Sequence, residues 1–303
     1  MIRFRRLPRD LLDAWLINQN VPNNHDHYRL RVWRENRAGL AAIQAELIAY
    51  VDEAFDDARQ RIRRGFEDGL SPFNDPATDP AANYPALLHR VTLQGYWGET
   101  LGVLAIEHWG AHGQIDWIVP AFLFRYHEVE FQHLETINER ILAGEPYDPD
   151  TDGEQRPGRT GDDGIAFRIS GENAIIDILT IEAKCLTQNN NEKIREAHEK
   201  LAAGTSRPSG VRELINLLAH YDTPEAQIWQ EALLTLWRDG YRASRRYDGV
   251  AYVCGRVPAQ GNRMAWMPTN GPHVAYTAAR NLEGMEFQFA DLPTIIDTVY
   301  RGT

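Results

Sequence analysis

The chain has 303 residues, 43% hydrophobic and 25% charged, with a formal net charge of −11. That balance excludes disorder, collagen-like repeats and a membrane-embedded protein, and it leaves enough chain for one large core or two small ones. The longest apolar runs, 101–106 and 117–124, fall far short of the roughly 18 residues of a membrane helix. The N-terminus lacks the apolar run of a secretion signal. Cys185 and Cys254 are the only cysteines, which argues against a disulfide framework or a Cys-rich zinc site and makes a reducing, cytoplasmic setting the expectation. Of the 32 basic residues only Lys184, Lys193 and Lys200 are lysine, so each lysine invites a question.

Charge is unevenly spread. Residues 1–40 carry net +4, residues 41–160 net −12 and residues 161–303 net −3. An acidic chain is not an obvious nucleic-acid binder. Within the last block, however, Arg238, Arg242, Arg245, Arg246, Arg256 and Arg263 face only Asp239 and Asp248, a stripe suited either to phosphates or to a solvated surface.

In chain order, the first 37 residues show no clean periodicity, and their arginines with Trp15, Tyr28 and Trp33 suggest an extended or docking arm. Leu40, Ile43, Leu47, Val51 and Phe55 recur at helical spacing, predicting a long amphipathic helix over 38–66. A Pro/Asp/Asn-rich loop follows at 71–84. A second helix is expected over 87–108, with a break near Gly95 and Gly98 and an end at Gly110 and Gly113. The β-prone run 115–124 predicts a strand, and 126–142 reads helical. Residues 144–161 form a polar loop. Ser170-Gly171-Glu172-Asn173, between two β-prone runs, predicts an antiparallel hairpin over 165–184. Helices are expected at 192–203, 211–220 and 224–244, a strand at 249–257, and a final βα pair at 286–300.

The hairpin carries the most informative chemistry. Glu182 and Lys184 are two residues apart on a strand and share a face, while Ile181 and Ala183 point the other way. Asp163, at the entry to the partner strand, is brought beside them. Asp162 is the alternative at that position. Glu99 lies on an earlier helix whose apolar side includes Leu101, Leu104 and Ala105. Two or three convergent carboxylates suit hard Mg2+, which acidifies water and stabilises phosphoryl charge. A lysine beside them is a compact cation able to orient a water nucleophile.

This order, a helical Glu99, Asp163 at a strand entry, Glu182-Ala183-Lys184 on the next strand and then a helix, resembles the PD-(D/E)xK superfamily of restriction-type nucleases over residues 95–257. The resemblance implies an α/β fold with a restriction-endonuclease-like αβββαβ core. The Glu99 helix, the strand 115–124, the hairpin, the helix 192–203 and the strand 249–257 supply its parts. It implies Mg2+, or Mn2+ in its place, held by Asp163 and Glu182 with Glu99 completing the site and Lys184 positioning the water. The expected activity is metal-dependent DNA endonuclease. The sequence departs from the family pattern in lacking a Pro before Asp163 and in carrying helical insertions. Among subfamilies, the Gly-Glu helix, Gly-x-Asp strand entry and Glu-x-Lys strand resemble nuclease subunits of bacterial anti-phage defence systems such as the Hachiman type.

The layout expected on this basis is a helical N-terminal extension (1–90), a nuclease core with insertions (91–260) and a C-terminal βα element packed on it (261–303). No P-loop, paired-glycine dinucleotide fingerprint or Gly-x-Ser-x-Gly elbow occurs. With no motor of its own and a strongly acidic helical region, the chain is expected to work with a protein partner such as a helicase or other ATPase. The alternative is a catalytically silent nuclease-fold subunit acting in DNA binding or complex assembly. His108 and His112 have i,i+4 spacing, but Gly110 lies between them. His127 and His133, six residues apart on a helix, do not share a face.

Overall fold

The hairpin forms where its turn residues place it. β3 (Gly164–Ile169) pairs antiparallel with β4 (Ile175–Leu186). The Ser170 amide donates to the Ala174 carbonyl at 2.8 Å. Asn173 adopts φ 59°, a left-handed conformation that Asn tolerates better than most residues. The computed structural model describes residues 6–22, 25–65, 79, 81–123, 134, 136–137, 139–140, 143–153, 161–205, 207–258 and 264–302.

Among these residues the chain is mixed α/β. A six-stranded sheet has the order β1 (Leu16–Gln19), β2 (Tyr28–Glu35), β6 (Leu282–Gln288), β5 (Arg245–Cys254), β4, β3. The β2–β6, β6–β5 and β5–β4 pairs are parallel, and the outer pairs β1–β2 and β4–β3 are antiparallel. Helices α1 (Arg9–Trp15), α2 (Arg37–Gly65), α3 (Arg90–Trp109), α4 (Asn191–Ala203), α5 (Ser209–Leu218), α6 (Pro224–Arg238) and α7 (Leu292–Arg301) accompany it. None is long and apolar enough to cross a membrane.

The odd-numbered residues of β4 face α3. Helix α3 runs unbroken past Gly95 and Gly98, and two of its glycines serve close packing instead. A Cβ on Gly98 would lie 3.1 Å from the Cys185 Cβ, and one on Gly102 would lie 2.9 Å from the Ala251 Cβ and 3.1 Å from Ile181 Cγ2. Leu93, Trp97, Leu101, Leu104 and Ala105 join one core with residues of α2 and α7. Gly102→Val is expected to push α3 off the sheet and cost about 2–3 kcal/mol, seen as a lower denaturant midpoint at unchanged slope. An unshifted midpoint would show that the helix has room to move.

Two expectations are corrected here. The described residues within 1–37 do not form a docking arm, because β1 and β2 join the sheet and Trp15, Tyr28 and Trp33 are buried. Trp33 stacks on Phe287 with centroids 5.1 Å apart. Arginines hid the strand pattern. Arg31 is buried, with Nε 2.6 Å from Glu283 and its other nitrogens donating to the Trp109 and Gly110 carbonyls, so a position that reads as polar belongs to the interior.

The second correction concerns 115–124, which is not a strand among its described residues. Ile115 is 77% exposed, and the run makes backbone hydrogen bonds to the sheet through Ile118, which exchanges two of 2.8 Å with Phe167 of β3. Pro120 has no N–H with which to extend that ladder. The expected helix over 126–142 lies mostly outside the described residues. At the other end of the chain β6 starts at Leu282, earlier than expected, and occupies the sheet interior between β5 and β2. Its Glu283, Glu286 and Gln288 are all buried.

Candidate active site

The even-numbered face of β4 presents Thr180, Glu182 and Lys184 toward the layer containing α4. β4 lies between β3 and β5, which leaves Glu182 only 1% exposed. A carboxylate so placed requires partners. Its Oε1 accepts from Lys184 Nζ at 2.7 Å, and its Oε2 forms an ion pair with Lys200 of α4. Asp163 stands just before β3. Its amide donates to the Ile181 carbonyl, and its Oδ2 accepts from the Ala183 amide at 2.8 Å. This leaves Oδ1 facing Lys200 Nζ at 3.7 Å. One ammonium thus bridges two carboxylates from adjacent strands.

The electrostatics follow from this crowding. Burial first, and then the Asp163 charge, push the Glu182 carboxyl up to about 7 against the pull of the two lysines. Burial opposes the Lys184 ammonium, but the attraction and hydrogen bond of Glu182, with a further contribution from Asp163, raise its pKa overall. Two carboxylates and two ammonium groups thus share a poorly solvated place, where burial disfavours an ionised Glu182 that lacks a cation beside it.

The neighbouring aspartates part company. Asp162 Oδ2 accepts from Ser209 Oγ at 3.1 Å and from the Gly210 amide at 2.8 Å, so it caps the start of α5, whereas Asp163 faces Glu182. Asp162→Ala is expected to cost about 1 kcal/mol of stability through the lost cap, measurable as a lower denaturation midpoint. An unchanged midpoint would remove that role.

Glu99 does not join the cluster. It is half-buried on α3, which covers the sheet face of Ile181, Ala183 and Cys185, opposite Glu182 and Lys184. Its charge adds to burial in raising the pKa of the Tyr300 phenol on α7. Among the described residues no group of three Asp, Glu, His or Cys side chains is arranged to hold a metal ion. The expected three-carboxylate set is therefore reduced to Asp163 and Glu182, because strand alternation sends α3 and the Glu-x-Lys pair to opposite faces.

Of the remaining candidates, His112 adopts φ 50°, and its Nδ1 lies 3.8 Å from Glu283 rather than against His108. His127, Glu128 and His133 fall outside the described residues. Cys185 packs against the core, and burial raises its thiol pKa well above the usual range. Lys193 pairs with Glu196, and Arg195 with Glu192 and Glu199, the bonding of a solvated helix face. The arginine stripe is split, since Arg245 pairs with Asp177 and Arg246 turns inward to Thr180.

Lys200 is the site residue that the sequence reading did not place at the site. Two signals pointed to it: it is one of three lysines, and it borders the apolar stripe of Ile194, Ala197 and Leu201, which α4 buries. No protein-family model and no curated protein matches the chain.

Proposed function

We propose that the chain is a divalent-cation-dependent nuclease that hydrolyses DNA phosphodiester bonds, with Asp163 and Glu182 as metal ligands and Lys184 as the cation beside the reacting groups. The observation that carries this reading is the convergence of Asp163 and Glu182, from adjacent strands, on the single ammonium of Lys200. That ammonium is a stand-in cation, and the donor set is the hard oxygen type that Mg2+ or Mn2+ takes. The strand sequence gives secondary support. The Ile118 contact, β3, β4 and β5 lie in the lateral order of an αβββ meander followed by a parallel strand, with α3 before it and α4 between β4 and β5.

When bound, the divalent ion acidifies water and withdraws charge from the phosphoryl oxygens. The chain's own groups do the rest. Asp163 is held in place by the Ala183 amide, so one of its oxygens is fixed, and the other, which faces Lys200, would bind the ion once that ammonium moves away. Lys184 stands on the same face as Glu182 with its side chain 26% exposed, able to donate to a water or to a phosphoryl oxygen. Lys200 must give up its place between the carboxylates, which leaves it free to pair with substrate phosphate.

The resemblance to nuclease subunits of anti-phage defence systems extends the proposal to an effector role, with a helicase or other ATPase controlling access to DNA. The net −12 of residues 41–160 suits docking on a basic partner rather than on DNA. Labelled DNA incubated with Mg2+, with and without EDTA, tests the core of the reading. EDTA-sensitive cleavage is expected. Binding without cleavage at any divalent ion would turn the assignment to a silent nuclease-fold subunit that acts in DNA binding or assembly.

A further inference from the structure

Beside Glu182 the surface opens into a cleft of about 200 Å³, whose walls include Lys200, Gly204, Arg207 and Arg246. Arg246 reaches into it from the start of β5, its side chain only 12% exposed. Nη2 donates to Thr180 Oγ1 at 3.2 Å. Nε lies 3.6 Å from Asp248, and neither Nε nor Nη1 has a hydrogen-bond partner. Buried guanidinium donors left unpaired are costly, and each such group in a folded protein calls for an explanation.

A second orphan donor lies behind this wall, close to Arg207, Asp162 and Arg246. Tyr241 is 7% exposed, its hydroxyl has no partner, and its backbone is held at φ 64°. Burial, helped by the Asp162 charge and opposed by Arg207 and Arg246, pushes its phenol up to about 12, so the group keeps its proton and remains a donor. Asp162, which lines the cleft together with Glu182, already accepts from Ser209 and Gly210.

Thr180 is two residues before Glu182 on the same face of β4, about 7 Å along the strand. Arg246 therefore stands within one side-chain step of the proposed cleavage site, its unpaired Nε and Nη1 held just inside the cleft wall. A phosphate matches this donor set, since its oxygens accept several N–H and O–H bonds at once and its charge offsets the desolvated guanidinium. We propose that this cleft binds a backbone phosphate flanking the bond that is cut, with Arg246 as the principal clamp and the Tyr241 hydroxyl as a second donor. Identifying the phosphate as part of a nucleic acid rests on the nuclease reading, but the donor geometry does not. Such a contact sets the register of the strand and carries no base information.

The test is binding of a short fluorescein-labelled oligonucleotide by the full chain in EDTA, followed by anisotropy across a salt series. Arg246→Met is expected to weaken binding about tenfold and to make the salt dependence shallower by about one unit of slope. Tyr241→Phe is expected to weaken it about threefold at unchanged slope, because the donor lost is neutral. Tyr241→Phe preserves shape in the core and carries the test if Arg246→Met fails to fold. Unchanged binding in a folded Tyr241→Phe, or no binding by the wild type, overturns the proposal. Arg246-dependent binding by a chain that never cleaves would sink the nuclease reading and leave this site standing. Cleavage with binding indifferent to both substitutions would do the reverse.

Discussion

Glu182→Gln is expected to lower divalent-dependent DNA cleavage about a thousandfold, the scale of losing one preorganised electrostatic contact at a reacting centre, or more. Gln keeps the shape and one acceptor oxygen, so the core around position 182 survives, but the charge that both lysines and Asp163 surround is gone. The same carboxyl sets a pH signature. Because burial and Asp163 raise it to about 7, metal binding must displace a proton across neutral pH. Activity at limiting metal is therefore expected to rise from pH 6 to pH 8, and Glu182→Gln removes that limb. The folded chain also holds this proton more tightly than the unfolded chain, where Glu titrates near about 4.3. Its contribution to the stability of the metal-free protein is thus full below about pH 4 and lost as pH rises through 7. Denaturation midpoints of the two forms across that window, compared without divalent ions, check the sign.

The two lysines on Glu182 have opposite expected effects. Lys184→Ala removes the ammonium that shares a strand face with Glu182 and is expected to cost on the order of a hundredfold in cleavage, while divalent binding persists. Lys184→Arg is not expected to restore the rate, because a planar fork cannot place a compact charge in the same slot. Lys200→Met removes the cation that stands between Asp163 and Glu182. Divalent affinity is expected to tighten severalfold, on the order of the ~1 kcal/mol of a partly exposed ion pair. If Lys200→Met weakens divalent binding, Lys200 is not a competitor for that position. Titration of both variants with Mn2+, read separately from cleavage, distinguishes the roles.

What could be read in advance divides along physical lines. The hairpin, α2, α3, α4 and β5 announce themselves because their buried faces are apolar at a single period and their turns carry Ser, Gly and Asn. β2 and β6 do not, since buried Arg31, Glu283 and Glu286 satisfy one another or the backbone and interrupt the alternation that marks a strand. The run 115–124 has the opposite problem. Its residues are β-prone, but Pro120 and the tight turn at Ala111–Gln114 leave one bridge where a strand was expected.

At the site, strand periodicity places Glu182 and Lys184 on one face, and the hairpin turn brings Asp163 to them. It could not show that α3 covers the other face, and that contact separates Glu99 from the rest. Lys200 and Arg246 come together only through the packing of α4 and β5, across the 45 residues of chain between them, which no local pattern encodes. The scarcity of lysine was nevertheless informative, because two of the three lysines in the chain sit on Glu182.

The most direct measurement is Mn2+ binding to the purified chain by electron paramagnetic resonance, with Glu182→Gln alongside. The account predicts a bound Mn2+ signal for the wild type, its loss in Glu182→Gln and its displacement by excess Mg2+. A wild-type chain that binds no Mn2+, or a Glu182→Gln chain that binds it equally well, would contradict the claim that Asp163 and Glu182 form a divalent-cation site.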